Sequence, residues 1–258
     1  MQRAISGPGG LLWLRIYRPA RDGSLPALVY MHGGGWVFGG LDMTDPTCRA
    51  ITNRAECVVV SVDYRLSPET KFPGALDDTY AALSWTADSA AELKIDERRI
   101  AVGGFSAGGN LAAAAALMAR DRGRPVVALQ LLVMPITDCR VNTPSWDRFE
   151  NGPIWTRADA RWSWDHYLEN PRDGEHPYAS VLRAPDLRGL PPAIIVTGGC
   201  DPLRDEGEEY AQRLRDSGVD AVTRRYEGMP HGFMSFSALD DTRRALDEIS
   251  ADLRRSFA

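Results

Sequence analysis

The chain has 258 residues, 44 % hydrophobic and 25 % charged, with 30 Lys and Arg against 35 Asp and Glu, for a formal net charge of −5. That length and mix suit a single α/β or all-β domain and exclude a disordered or fibrous chain. A mildly acidic chain without a basic block is a poor partner for nucleic acid or an anionic membrane surface.

In chain order, apolar runs predict strands at Leu11–Tyr17, Ala27–Met31, Cys57–Asp63, Ile100–Gly103, Val127–Val133, Ala193–Thr197 and Ala221–Tyr226. Several are unbroken Val/Ile/Leu runs, as expected of strands buried on both faces of a parallel sheet. Helical periodicity predicts Ala75–Ala91, Ala107–Arg120, Arg204–Ser217 and Asp240–Arg255. Strand–helix alternation from residue 57 onward implies an α/β fold with helices on both faces of a mostly parallel sheet. Residues 140–185 break the alternation. They hold Trp146, Trp155, Trp162 and Trp164 and a helical pattern from Arg157 to Leu168. We read them as an insertion over one edge of the sheet, with the tryptophans packing within it or one or two of them lining a ligand pocket.

Cys48, Cys57, Cys139 and Cys200 show no metal-ligand spacing and are too sparse for a disulfide framework. Reduced cysteines in a cytoplasmic protein are expected. The first ten residues lack the apolar stretch of a leader peptide. The longest apolar run, Leu111 to Ala119, is far shorter than the ~20 residues of a membrane-spanning helix.

The chemistry concentrates in two glycine-rich turns. Gly104-Phe105-Ser106-Ala107-Gly108 has the G-x-S-x-G pattern between a predicted strand and a predicted helix, the context of a nucleophile elbow. The turn pushes Ser106 above the sheet and leaves the Ala107 N–H at a helix N-terminus, which suits a developing oxyanion. His32-Gly33-Gly34-Gly35 follows a strand directly and matches the loop that supplies further oxyanion donors in lipases and esterases. Of the four histidines, His32 belongs to that loop, while His166 and His176 fall in the insertion. His231, in the loop after the last predicted strand, is the best base for Ser106. Asp201, directly after a strand, is the preferred acid. Asp205 is the weaker candidate because it lies inside the next helix. The order Ser106, Asp201, His231 is the one α/β-hydrolases use.

These stretches resemble the bacterial hormone-sensitive-lipase-like esterases of the α/β-hydrolase fold. The matching segments are His32–Gly40, Ser61–Glu69, Phe72–Asp78, Gly104–Asn110, Asp201–Gly207 and Tyr226–Phe233. The resemblance implies a single α/β-hydrolase domain over residues 1–258, with a cap insertion at about 140–185. It implies Ser106 as nucleophile, Asp201 as acid and His231 as base, with oxyanion donors from Gly34, Gly35 and Ala107. Gly33 would shape the glycine loop, His32 and Phe105 would stand beside the site, and Glu69 would support the elbow from beneath. No metal or organic cofactor is implied. The expected substrate is a small ester with a short acyl chain, and a homodimer through Ala221–Tyr226 and Asp240–Arg255 is left open. Relatives commonly carry Asp or Thr where this chain has Phe105. They also carry cap helices ahead of the first strand, so a reduced cap and a more open pocket are expected. An amidase or peptidase, a non-catalytic ligand receptor and an impaired enzyme are the alternatives.

Overall fold

The unbroken apolar runs become the interior of the sheet. The computed structural model describes residues 1–258. Its strands are β1 (Gln2–Gly7), β2 (Gly10–Tyr17), β3 (Leu25–Met31), β4 (Val58–Asp63), β5 (Ile95–Phe105), β6 (Leu129–Val133), β7 (Ala193–Gly198) and β8 (Ala221–Tyr226). Its helices are α1 (Asp45–Ala55), α2 (Gly74–Asp88), α3 (Ala90–Leu93), α4 (Ala107–Arg122), α5 (Pro144–Arg148), α6 (Arg157–Tyr167), α7 (Arg204–Asp216) and α8 (Asp240–Phe257). The sheet order is β1-β2-β4-β3-β5-β6-β7-β8. The pairings β1–β2 and β2–β4 are antiparallel, and every later one is parallel. Every residue of β3, β6 and β7 is buried.

Alternation along β3 feeds a core on each face. Ala27, Val29 and Met31 join the layer of α2, α4 and α7, whereas Leu28 and Tyr30 join that of α1 and α8. From Ala107 to Ala119 every residue of α4 is buried. That explains its apolar character all round, since a helix exposed on one side would carry a polar stripe. No helix is long and apolar enough to cross a membrane. All four cysteines are unpaired.

β1, α1 and the short α5 lie outside the sequence expectation. β1 completes a hairpin with β2, in register from Gln2↔Arg15 to Gly7↔Gly10. α1 opens with Asp45 and Pro46 after Thr44, and only one face of it is buried.

Between β6 and β7 the chain forms α5, α6 and single 3-10 turns at Pro171–Glu175 and Val181–Arg183. α6 starts at a capping box: the Thr156 hydroxyl accepts the Asp159 N–H, and the Asp159 carboxylate accepts the Thr156 N–H. At its other end the Lys71 ammonium donates to the carbonyls of His166 and Leu168, both at 2.9 Å. Lysine at a helix C-terminus satisfies orphan carbonyls and opposes the negative end of the dipole. Trp36, fully buried after the glycine loop, stacks on Tyr167 at 4.1 Å and 4° and meets Trp164 at 4.6 Å. The insertion is therefore packed onto the glycine loop. The tryptophans divide: Trp146, Trp155 and Trp164 are buried against neighbouring elements, while Trp162 is exposed.

Candidate active site

β5 ends at Phe105, and α4 begins at Ala107. Ser106 between them takes φ 57° and ψ −116°. A non-glycine residue there carries about 1–3 kcal/mol of strain, held in place by the surrounding structure. The flanking glycines are a steric requirement. A Cβ on Gly104 would lie 2.3 Å from the Gly108 carbonyl oxygen, and one on Gly108 would lie 2.2 Å from that of Met31. The Ser106 N–H donates to Val133 O at 2.8 Å, which pins the turn to β6.

The elbow meets two loops from farther along the sheet. Ser106 Oγ lies 3.0 Å from His231 Nε2. His231 Nδ1 lies 2.9 Å from Asp201 Oδ2. The other carboxylate oxygen, Oδ1, accepts the Leu203 N–H at 2.8 Å. Asp201 follows β7 and is fully buried; His231 lies in the loop between β8 and α8. Those loops are laced together by Gly199 N–H to Tyr226 O and Cys200 N–H to Met229 O. A hydroxyl bonded to an imidazole whose other nitrogen is held by a buried carboxylate can give up its proton and attack a carbonyl.

The glycine loop lies beside the elbow. His32 Nδ1–H donates to Gly33 O at 2.7 Å, and its ring stacks on Tyr64 at 4.1 Å and 14°. The Tyr64 hydroxyl donates to His32 O at 2.9 Å. Burial pushes His32 down to about 4, so the ring is neutral over the ordinary pH range. Gly34 and Gly35 follow, and Ala107 supplies the first amide of α4, one of the four that have no partner within a helix. The insertion closes against this loop: a Cβ on Gly35 would lie 2.4 Å from Ser163 Oγ and 3.1 Å from the Trp155 ring. Trp155 also faces His231, with ring centroids 5.8 Å apart. Ser106 is 2 % exposed and His231 4 %.

Other sequence candidates lie elsewhere. His166 bonds to Trp162 O on α6, and His176 accepts the Tyr178 N–H. Glu69 is exposed, in contrast to the expected support beneath the elbow. The buried contacts of its stretch come instead from Tyr64 and from Arg65, which binds Asp78 through Nε at 2.8 Å and Nη2 at 2.9 Å. Asp205 accepts the Ser145 N–H at 2.7 Å and so ties α5 to α7. Sequence reasoning did not single out Glu206, which is 1 % exposed. It accepts the Thr137 N–H at 2.7 Å and the Trp146 indole N–H at 2.8 Å. No group of three His, Cys, Asp or Glu side chains is arranged to hold a metal ion.

A family model for the alpha/beta hydrolase fold matches residues 28–235. The chain belongs to the α/β-hydrolase family. Within it, the chain falls in the hormone-sensitive-lipase-like branch implied by its motifs. This α/β-hydrolase is 44 % identical over 243 residues to the carboxylic ester hydrolase LipN of Mycobacterium tuberculosis, covering 92 % of this chain and 64 % of LipN. It therefore spans less than two thirds of LipN. It is 45 % identical over 231 residues to the carboxylesterase NlhH of the same species, covering 87 % of this chain and 72 % of NlhH. The solved structure of a hyperthermophilic esterase from the archaeon Pyrobaculum calidifontis superposes with a TM-score of 0.95 at 46 % identity. That match covers 99 % of this chain and 85 % of the archaeal one.

Proposed function

We propose that this α/β-hydrolase is a serine carboxylesterase acting on small esters with short acyl chains. The observation that carries the proposal is the continuous hydrogen-bonded line from Ser106 through His231 to the buried Asp201. His231 takes the Ser106 proton as Oγ attacks the ester carbonyl. The oxyanion is held by the backbone N–H groups of Gly34, Gly35 and Ala107. Asp201 keeps the imidazole oriented and stabilises its cation. The alcohol leaves with the proton from His231, and water activated by the same histidine releases the acid. The relatives named as carboxylic ester hydrolase and carboxylesterase support the substrate class. Residues 140–185 act as the cap. Short acyl chains fit because Ile154 and Trp155 crowd the surroundings of Gly232 and His231.

The test is hydrolysis of p-nitrophenyl esters from acetate to decanoate by the purified protein, beside Ser106→Ala. Rates should peak at short chains and fall by about 10⁴–10⁶ in the variant. Equal rates in the two proteins would overturn the proposal.

A further inference from the structure

The proposed reaction needs His231 to hold a positive charge, transiently, in a site from which water is nearly excluded. One carboxylate, Asp201, faces the imidazole from the turn after β7. The elbow offers Ser106 and Phe105, and the insertion offers Trp155; none of the three carries a charge in the ordinary pH range. Two aromatic rings also lie against the imidazole. Phe105 stacks against His231 with centroids 5.2 Å apart and planes at 26°. Trp155 lies at 5.8 Å and 36°. Both distances fall within the ~6 Å over which an aromatic face attracts a cation.

We infer that Phe105 and Trp155 form an aromatic platform that selectively stabilises the protonated form of His231. Phe105 is then a positioning residue, acting through the imidazole and not on the substrate. The inference depends on His231 being the base, as proposed above. Phe105 is well fixed for the task. Its backbone pairs with Val133 at the end of β5. Its ring lies flush on the glycine loop, since a Cβ on Gly33 would come within 2.5 Å of its Cδ1. On the other side it reaches 3.9 Å from where a Cβ on Gly232 would stand. The ring therefore cannot drift from His231 without unpacking Gly33. A neutral imidazole gains little from an aromatic face, whereas an imidazolium gains more. The contact thus strengthens as the proton moves from Ser106, and interactions that grow toward the transition state raise kcat. Trp155 adds a second aromatic ring from the insertion, so the cap would assist the chemistry as well as cover it.

Replacing Phe105 in the full chain by mono-, di- and trifluorinated phenylalanine weakens the negative face of the ring while nearly keeping its shape. Phe105→Leu removes the face and keeps an apolar wall. The His231 imidazole resonance, assigned with His231→Gln, is followed by NMR against pH. Its midpoint should move to lower pH in step with fluorination, and farthest in Phe105→Leu. In ester hydrolysis, kcat should fall about five- to tenfold in Phe105→Leu with KM nearly unchanged, and the acid limb of the kcat/KM profile should shift to lower pH. A midpoint that stays flat across the fluorinated series would overturn the platform, even if Phe105→Leu lost activity through packing. If no ester were hydrolysed but the midpoint still tracked fluorination, the platform would stand and the esterase assignment would fall.

Discussion

At the residue scale, His32 shows how little of its role a motif reveals. The sequence His32-Gly33-Gly34-Gly35 marks a backbone-donor loop but not what holds it. The structure shows a neutral buried ring that ties down Gly33 O and leans on Tyr64. Burial depresses His32 to about 4, below the ~6.5 of an unfolded chain, so between those values the unfolded state binds more protons. Stability should therefore decline as pH falls from about 6.5 toward 4. Urea unfolding at pH 7 and pH 5 should show about 1–2 kcal/mol of this loss relieved in His32→Gln, beside a fall in kcat as the loop slackens. A loss of the same size in both proteins would assign the acid sensitivity elsewhere. That Ser106, Asp201 and His231 would meet was legible because an elbow, a strand end and the order along the chain constrain them jointly. Glu69 was not, because no periodicity says where a side chain in a turn will point.

At the scale of elements, α7 does more than follow the turn that carries Asp201. Its first turn, Arg204-Asp205-Glu206, reads in sequence as ordinary acidic charge at a helix N-terminus. In the structure Asp205 holds Ser145, and Glu206 holds Trp146, both on α5. The insertion is thereby fastened to the base of the loop that bears Asp201. Burial raises Glu206 to about 8 against the pull of the N–H donors of Thr137 and Trp146. The folded state then keeps a proton that the unfolded state releases above ~4.5, so stability should be lost as pH rises from there toward 8. Chemical unfolding at pH 6 and pH 8 should differ by about 2 kcal/mol in the native protein and by much less in Glu206→Gln. A pH-independent native protein would mean that the donors keep Glu206 ionised throughout. Sequence periodicity also passed over α1 and β1. Pro46 in the first turn of α1 and the Pro8-Gly9 turn between β1 and β2 were available signals, but both elements bury only part of their surface.

Across the whole molecule, Ser106, Asp201 and His231 stand at the C-terminal ends of β5, β7 and β8, as expected for an open parallel sheet. The sheet was legible because its middle strands are buried on both faces and admit few polar residues. The grip of the insertion was not, because it rests on aromatic faces meeting across long gaps in sequence, with Trp36 on Tyr167 the clearest case. The strained backbone at Ser106 bears on how such a molecule can change over generations. Glycine enters that conformation without penalty, so Ser106→Gly should unfold at a higher temperature than the native protein while losing its turnover. A lower melting temperature for Ser106→Gly would show that the elbow stores no strain. With the expected rise, selection for heat tolerance alone would favour erasing the hydroxyl. A population kept for its chemistry must retain a residue that its fold, left to itself, would discard.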